Sequence, residues 1–170
     1  MTSRVIAKKS VPSVLNEKQL LGSVNSPFLV NLLEASQDRH NLYLLLDYLP
    51  GRDLRHHLAR KRFSEEESKF LIVCLLLGLK HLHSNSVIHR DIKPENIVLD
   101  REGYARITDL GVARPLRANN SSDTSGTPGY MAPEVLCRQN HSYSADYFAV
   151  GVMTYELMLR RRPFHGRSRK

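Results

Sequence analysis

A chain of 170 residues is long enough to bury the core of one domain, and 41% hydrophobic with 25% charged residues is an ordinary globular composition. The net charge of +8 is uneven: Arg160, Arg161, Arg162, Arg167, Arg169 and Lys170 crowd the last eleven positions, and a smaller group runs from Arg52 to Arg62. No aromatic residues alternate with these cations as a base-stacking platform requires, so the tail reads as a solvated basic end and no specific nucleic acid is expected as a partner.

The longest apolar run, Phe70 to Leu77, is far short of the roughly 20 residues a membrane span needs, and no hydrophobic signal core opens the chain. Cys74 and Cys137 lie in apolar or helical context without metal-ligand spacing, which fits a reducing compartment. His56, His57, His81 and His83 show no helix-face pairing with carboxylates. A cytoplasmic or nuclear location is the default expectation. The sequence leaves the oligomeric state open.

Residues 11 to 23 have the spacing of a helix, with Val14, Leu15, Leu20 and Leu21 along one side. Strands are expected at Phe28 to Leu33 and Asn41 to Leu49, joined by the polar turn Ser36 to His40. Pro50-Gly51 marks a hinge, and Asp53 to Ala59 a short helix. Ser64 followed by Glu67 is a capping box that opens a helix to about Ser84. Phe70, Leu71, Cys74, Leu75, Gly78 and Leu82 recur in it at helical spacing, and a helix so apolar on most sides is expected to be central and buried. Two short strand pairs follow, around His89 to Asp100 and around Ala105 to Thr108. A serine-rich stretch covers Asn119 to Ser125, and Tyr143 to Leu159 reads as another strongly apolar helix.

Most of the chemistry is concentrated in His89-Arg-Asp-Ile-Lys-Pro-Glu-Asn-Ile-Val-Leu-Asp100. Within six residues it offers a carboxylate, Asp91, to orient a hydroxyl and take its proton. It also offers a cation, Lys93, to steady charge on a moving phosphoryl group, and an amide oxygen, Asn96, to help hold a metal ion. Asp109-Leu110-Gly111 follows thirteen residues after Asn96, and Gly126-Thr-Pro-Gly-Tyr-Met-Ala-Pro-Glu134 follows that.

In this order and spacing the motifs resemble the catalytic domain of eukaryotic protein kinases, whose signature set includes H-R-D-x-x-x-x-N. Lys93 resembles the serine/threonine branch, and the runs P-F-L-V-N-L and N-L-Y-L-L-L-D-Y-L look most like the branch of the cyclic-nucleotide-dependent kinases. The resemblance implies an α+β, protein-kinase-like fold. Residues 1–49 would be the remainder of the N-lobe, with helix C and about two strands, and residues 50–170 a C-lobe lacking its last helices. It implies ATP and Mg2+ as cofactors and a protein bearing Ser or Thr as substrate.

By the same resemblance, Asp91, Lys93, Asn96 and Thr127 are catalytic, and Asn96 and Asp109 bind the metal. Asp47 and Leu49 present backbone groups to the adenine, Leu46 guards the back of its pocket, Val98 forms the floor, and Asp53 meets the ribose. Glu17 matches the helix C glutamate, while Leu21, Leu32, His89 and Leu110 stack as an apolar spine. Asp146 braces the loop backbone, and Arg90 faces the serine-rich stretch near Asp123, where many relatives carry a phosphothreonine.

The pattern also departs from the family: no glycine-rich loop or V-A-I-K strand precedes Glu17, Lys8 and Lys9 do not fill that lysine's place, Leu110 and Phe148 replace Phe and Trp, and Arg160 stands where Gly is usual. Truncation at both ends is therefore expected, with poor phosphate transfer by these 170 residues alone. Two function classes stand at this stage, a serine/threonine kinase and a catalytically silent kinase-like module that binds or scaffolds.

Overall fold

A computed structural model describes residues 11–164, with side chains from Val14 onward. Lys8, Lys9, Arg167, Arg169 and Lys170 lie outside the described residues. The first helix, α1 (Val11–Ser23), sends Leu20 and Leu21 into the core, whereas Leu15 remains 53% exposed, so the apolar side is narrower than its spacing suggests.

The next strand falls four residues later than expected. Phe28 to Val30 lie beside β5 (Ala105–Ile107), with the Val30 N–H donating to Ile107 O at 2.9 Å and the Ile107 N–H to Phe28 O at 2.9 Å. That pairing removes the run from the hairpin, which forms between β1 (Leu32–Gln37) and β2 (Leu42–Leu46) in antiparallel register. The strand thus continues through Ser36 and Gln37, and the turn shrinks to the residues around Asp38. The Asp38 carboxylate organises this turn, accepting from the backbone N–H groups of His40 (2.7 Å) and Asn41 (2.6 Å) and from the Tyr43 hydroxyl (2.8 Å).

Those donors, the His40 N–H foremost, lower the Asp38 pKa to about 2. A carboxylate with a depressed folded-state pKa adds stability that is present above its unfolded value and lost as pH falls through the folded one. The hairpin is accordingly expected to keep its turn at pH 5 and to lose it as pH approaches 2. An NMR titration following the Asp38 carboxyl and the His40 amide together checks this.

A short helix, α2 (Leu54–Leu58), is capped by Asp53, whose Oδ1 accepts from the His56 N–H at 2.8 Å. The central helix, α3 (Glu65–Ser84), opens on the capping box: Ser64 Oγ accepts from the Glu67 N–H at 3.1 Å, and Glu67 Oε2 from the Ser64 N–H at 2.8 Å. Ser64→Ala removes one of these and is expected to cost about 1 kcal/mol in urea denaturation.

Leu71, Cys74, Leu75, Gly78, Leu79 and Leu82 form the buried face of α3. Helix and sheet approach closely at Gly78, where an added Cβ would stand 2.9 Å from Phe28 O and from Ile107 Cδ1. The expectation of burial on most sides fails for the outer face, because Phe70, Val73, Leu76 and Leu77 are 38–54% exposed and Phe70 touches the Tyr104 ring instead of the core.

Two further antiparallel pairs follow, β3 (Val87–Ile88) with β6 (Arg114–Pro115) and β4 (Ile97–Leu99) with β5. The chain then makes α4 (Pro133–Leu136) and α5 (Ser144–Leu159). Val150, Val152, Met153 and Leu157 of α5 join the same core as α1 and α3. Where Gly would be usual, Arg160 ends α5 in the left-handed region, at φ 55°. Among the described residues no helix is long and apolar enough to cross a membrane.

Candidate active site

The loop from His89 to Asn96 hangs between β3 and β4, each tied to a different partner strand, so both ends are fixed before any side chain acts. Its underside rests on the carboxylate of Asp146, in the first turn of α5, which accepts from the His89 N–H (2.9 Å) and the Arg90 N–H (2.8 Å). Those bonds hold Arg90 at φ 70°, a left-handed conformation that costs a non-glycine residue of order 1–2 kcal/mol. Asp146 is 1% exposed and takes a third contact from His83 Nε2 at 2.8 Å. The His83 ring stacks on Tyr143 at 4.4 Å. The sequence reading did not foresee this partner, because His83 meets its carboxylate across two helices, 63 residues apart, and not along one.

Above that support, four side chains converge. Lys93 Nζ lies 2.7 Å from Asp91 Oδ2 and donates to Thr127 Oγ1 at 2.7 Å, and the Thr127 hydroxyl donates to Asp91 Oδ1 at 2.7 Å. Asn96 Nδ2 donates to the Asp91 carbonyl (2.9 Å) and to Asp91 Oδ2 (3.1 Å). Burial raises the Asp91 pKa, but the hydrogen bonds from Lys93 and Thr127 outweigh it, and the carboxyl ends below its ordinary value. It is therefore ionised at neutral pH, a weak base and a firm hydrogen-bond acceptor.

Asp109 follows β5, and the preceding Thr108 is tied to the loop, its N–H and hydroxyl both donating to Asn96 O, at 2.8 and 3.0 Å. Asp109 is exposed at φ 62° and accepts from the Gly111 N–H at 3.1 Å. With Asn96 Nδ2 committed to Asp91, the amide oxygen and the Asp109 carboxylate offer hard oxygen donors, the set that suits a magnesium ion keeping water and phosphate oxygens as its other ligands. No group of three or more His, Cys, Asp or Glu able to hold a metal occurs among the described residues.

Glu17 of α1 has its pKa raised, by burial and by the nearby charge of Asp109, so the helix presents an acid towards this end of the site. It has no ion-pair partner among the described residues. Leu21 and Leu110 are both 2% exposed in the core, with Leu32 and Leu46 packed against it, and His89 is fully buried with Nε2 3.2 Å from Thr108 O.

The stretch from Asp47 to Asp53 runs beside β4. The Gly51 N–H donates to Leu99 O (2.9 Å), the Leu99 N–H to Arg52 O (3.0 Å), and Asp53 bridges Val98. Asp53 and Val98 are thereby brought to one edge, and Leu49 packs against the core. The carboxylates of this stretch serve local structure. Asp53 caps α2, and Asp47 accepts from Asn31 Nδ2 (2.8 Å) and pairs with Arg106 at 3.2 Å.

A second network, absent from the sequence reading, borders the first. Arg55 donates to Glu95 Oε1 (2.8 Å), Glu156 Oε1 (2.8 Å) and the Tyr130 hydroxyl (2.7 Å), and Tyr130 donates in turn to Glu156. Burial, then the bond to Glu156, holds the Tyr130 pKa far above its ordinary value. Arg90 Nε donates to Val112 O at 2.8 Å, and its Nη1 reaches the serine-rich stretch, pairing with Asp123 Oδ2 at 3.2 Å as a charge contact without aligned hydrogen-bond geometry.

The model of the protein kinase domain family matches residues 1–170. The chain belongs to the protein kinase domain family. It is 39% identical over 170 residues to a protein of Dictyostelium discoideum named probable serine/threonine-protein kinase, covering 98% of this chain and 37% of that protein. It is 46% identical over 157 residues to ribosomal protein S6 kinase alpha-1 of Homo sapiens, covering 91% of this chain and 21% of the relative, and ribosomal protein S6 kinase 2 alpha of Gallus gallus is as similar. The chain thus spans between about a fifth and two fifths of the length of these curated relatives. Proteins of this family use ATP with a divalent metal, and these relatives are serine/threonine or ribosomal protein S6 kinases by name.

Proposed function

We propose that this chain carries the phosphotransfer centre of a serine/threonine protein kinase, moving the terminal phosphoryl group of ATP to a protein hydroxyl with Mg2+ as the metal. The convergence of Lys93, Thr127 and Asn96 on one ionised carboxylate, Asp91, carries this reading. Asp91 accepts the hydrogen bond of the incoming hydroxyl and fixes its direction. Its lowered pKa fits a transition state that asks for orientation and charge placement more than for early proton removal. Lys93 lies between Asp91 and Thr127, placed to meet negative charge that gathers as the phosphoryl group moves. Asn96 and Asp109 would hold the metal, which would supply positive charge against the nucleotide phosphates.

Leu49 and Val98 would border the adenine, with the Asp47 and Leu49 backbone as its polar edge. Asp53, whose Oδ1 caps α2, would offer its other carboxylate oxygen to the ribose. The hinge near Pro50 divides residues 1–49 from 50–170. A cytoplasmic location and a Ser/Thr-bearing protein as substrate complete the reading.

The test is transfer from γ-labelled ATP, by the protein as its cell expresses it, to peptides matched except for one Ser, Thr or Tyr. Label on Ser and Thr but not Tyr is expected. Label on none of them, with MgATP still bound, would favour the silent binding module.

A further inference from the structure

Asn120 lies in the stretch between Asp109 and Thr127, a polar residue in a polar run, yet it is 3% exposed. Its side-chain Oδ1 accepts from the Arg117 N–H (3.1 Å), and Nδ2 donates to Arg117 O (2.8 Å) and to His141 O (3.0 Å). Its backbone N–H donates to Asn140 Oδ1 at 2.9 Å, and its carbonyl accepts from the Asp123 N–H at 2.9 Å. Asn140 also reaches back, donating to Ala118 O at 2.9 Å. Asp123, set by the Asn120 carbonyl, pairs with Arg90, whose side chain is 4% exposed and which directly precedes Asp91.

A turn needs only the contacts to Arg117. The bonds to His141 and Asn140, about 20 residues away, are what fasten the stretch to the loop before α5. The geometry requires an amide, since a carboxylate would set negative oxygen against two carbonyls and a hydroxyl offers one donor for two acceptors.

We propose that Asn120 is a positioning residue. By clipping residues 117–123 to Asn140 and His141, it holds Asp123 against Arg90 and keeps the stretch before Thr127 ordered with no phosphate on Ser121, Ser122 or Thr124. Only the activity arm of the test below rests on the reading of Asp91 as the phosphotransfer residue.

The clip makes its own assay, because Asn120 holds both backbone groups of Arg117, including the carbonyl that trypsin attacks. Phosphatase-treated protein, shown unmodified by mass spectrometry, is digested with limiting trypsin and scored for cleavage after Arg117 relative to Arg101, an exposed residue outside the clip. Asn120→Ala and Asn140→Ala are each expected to raise that ratio about ten-fold. Asn140 is exposed, so its variant keeps the test sound where Asn120→Ala does not fold. In the peptide assay, Asn140→Ala is expected to lower kcat/KM for peptide while KM for MgATP is unchanged. Equal ratios in all three proteins, or protection of Arg117 in wild type that phosphatase abolishes, would overturn the clip. Faster cleavage with unchanged peptide kinetics would overturn the positioning role and leave the phosphotransfer reading intact.

Discussion

Asp91→Asn is expected to lower phosphate transfer to a serine peptide by about three orders of magnitude while leaving KM for MgATP within about two-fold. The substitution preserves shape, and an Asn at this position can still accept from Lys93 or Thr127, which lie 2.7 Å from the present carboxylate. What it loses is the second acceptor and the charge that orient an attacking hydroxyl. Because the Asp91 pKa is already lowered, wild-type activity is expected to show no acid limb from this group until pH falls below the ordinary carboxylate range. Steady-state rates across pH for both proteins check this. Equal loss in kcat and in nucleotide affinity would assign Asp91 to binding and not to the transfer step.

The second large effect concerns stability. Arg55→Ala is expected to cost about 3 kcal/mol, a fall in Tm of about 6–12 °C. Glu156 has 7% side-chain exposure, and removing Arg55 leaves its charge buried with only Tyr130 as a hydrogen-bond donor. The estimate lies at the low end for a broken buried pair because Arg55 is 38% exposed and its other carboxylate, Glu95, is 44% exposed, so water already screens part of the interaction.

A second substitution separates this account from simple loss of packing. Glu156→Gln in the same background is expected to recover most of the loss. A deficit unrescued by Gln would mean that the Arg55 stem, not its charge, was the important part.

Much of the candidate site's geometry was legible in the sequence because its residues are close together: Asp91, Lys93 and Asn96 lie on one loop, with Lys93 and Asn96 both hydrogen-bonded to Asp91. The capping box at Ser64 was legible for the same reason. Contacts between distant parts of the chain were not. Arg55 and Glu156 are 101 residues apart and His83 and Asp146 are 63 apart, and no local pattern ties either pair. Asp53, expected to meet the ribose, is seen to cap α2 with its Oδ1, a local role that its residue type equally allows.

The misplaced first strand has a physical cause of the same kind. Phe28 to Val30 are as apolar as a hairpin strand, and their pairing with Ile107 decides where they go. Periodicity correctly predicts α3 as a helix, but a segment apolar all round does not say which side meets the core.

The measurement that bears most directly on the central claim is a structure of the protein with Mg2+ and a non-hydrolysable ATP analogue. The account predicts metal density bonded to the Asn96 amide oxygen and the Asp109 carboxylate, with the terminal phosphate facing Asp91 and Lys93 and the adenine against Leu49 and Val98. Nucleotide bound away from Asp91, or metal held without Asp109, would contradict it.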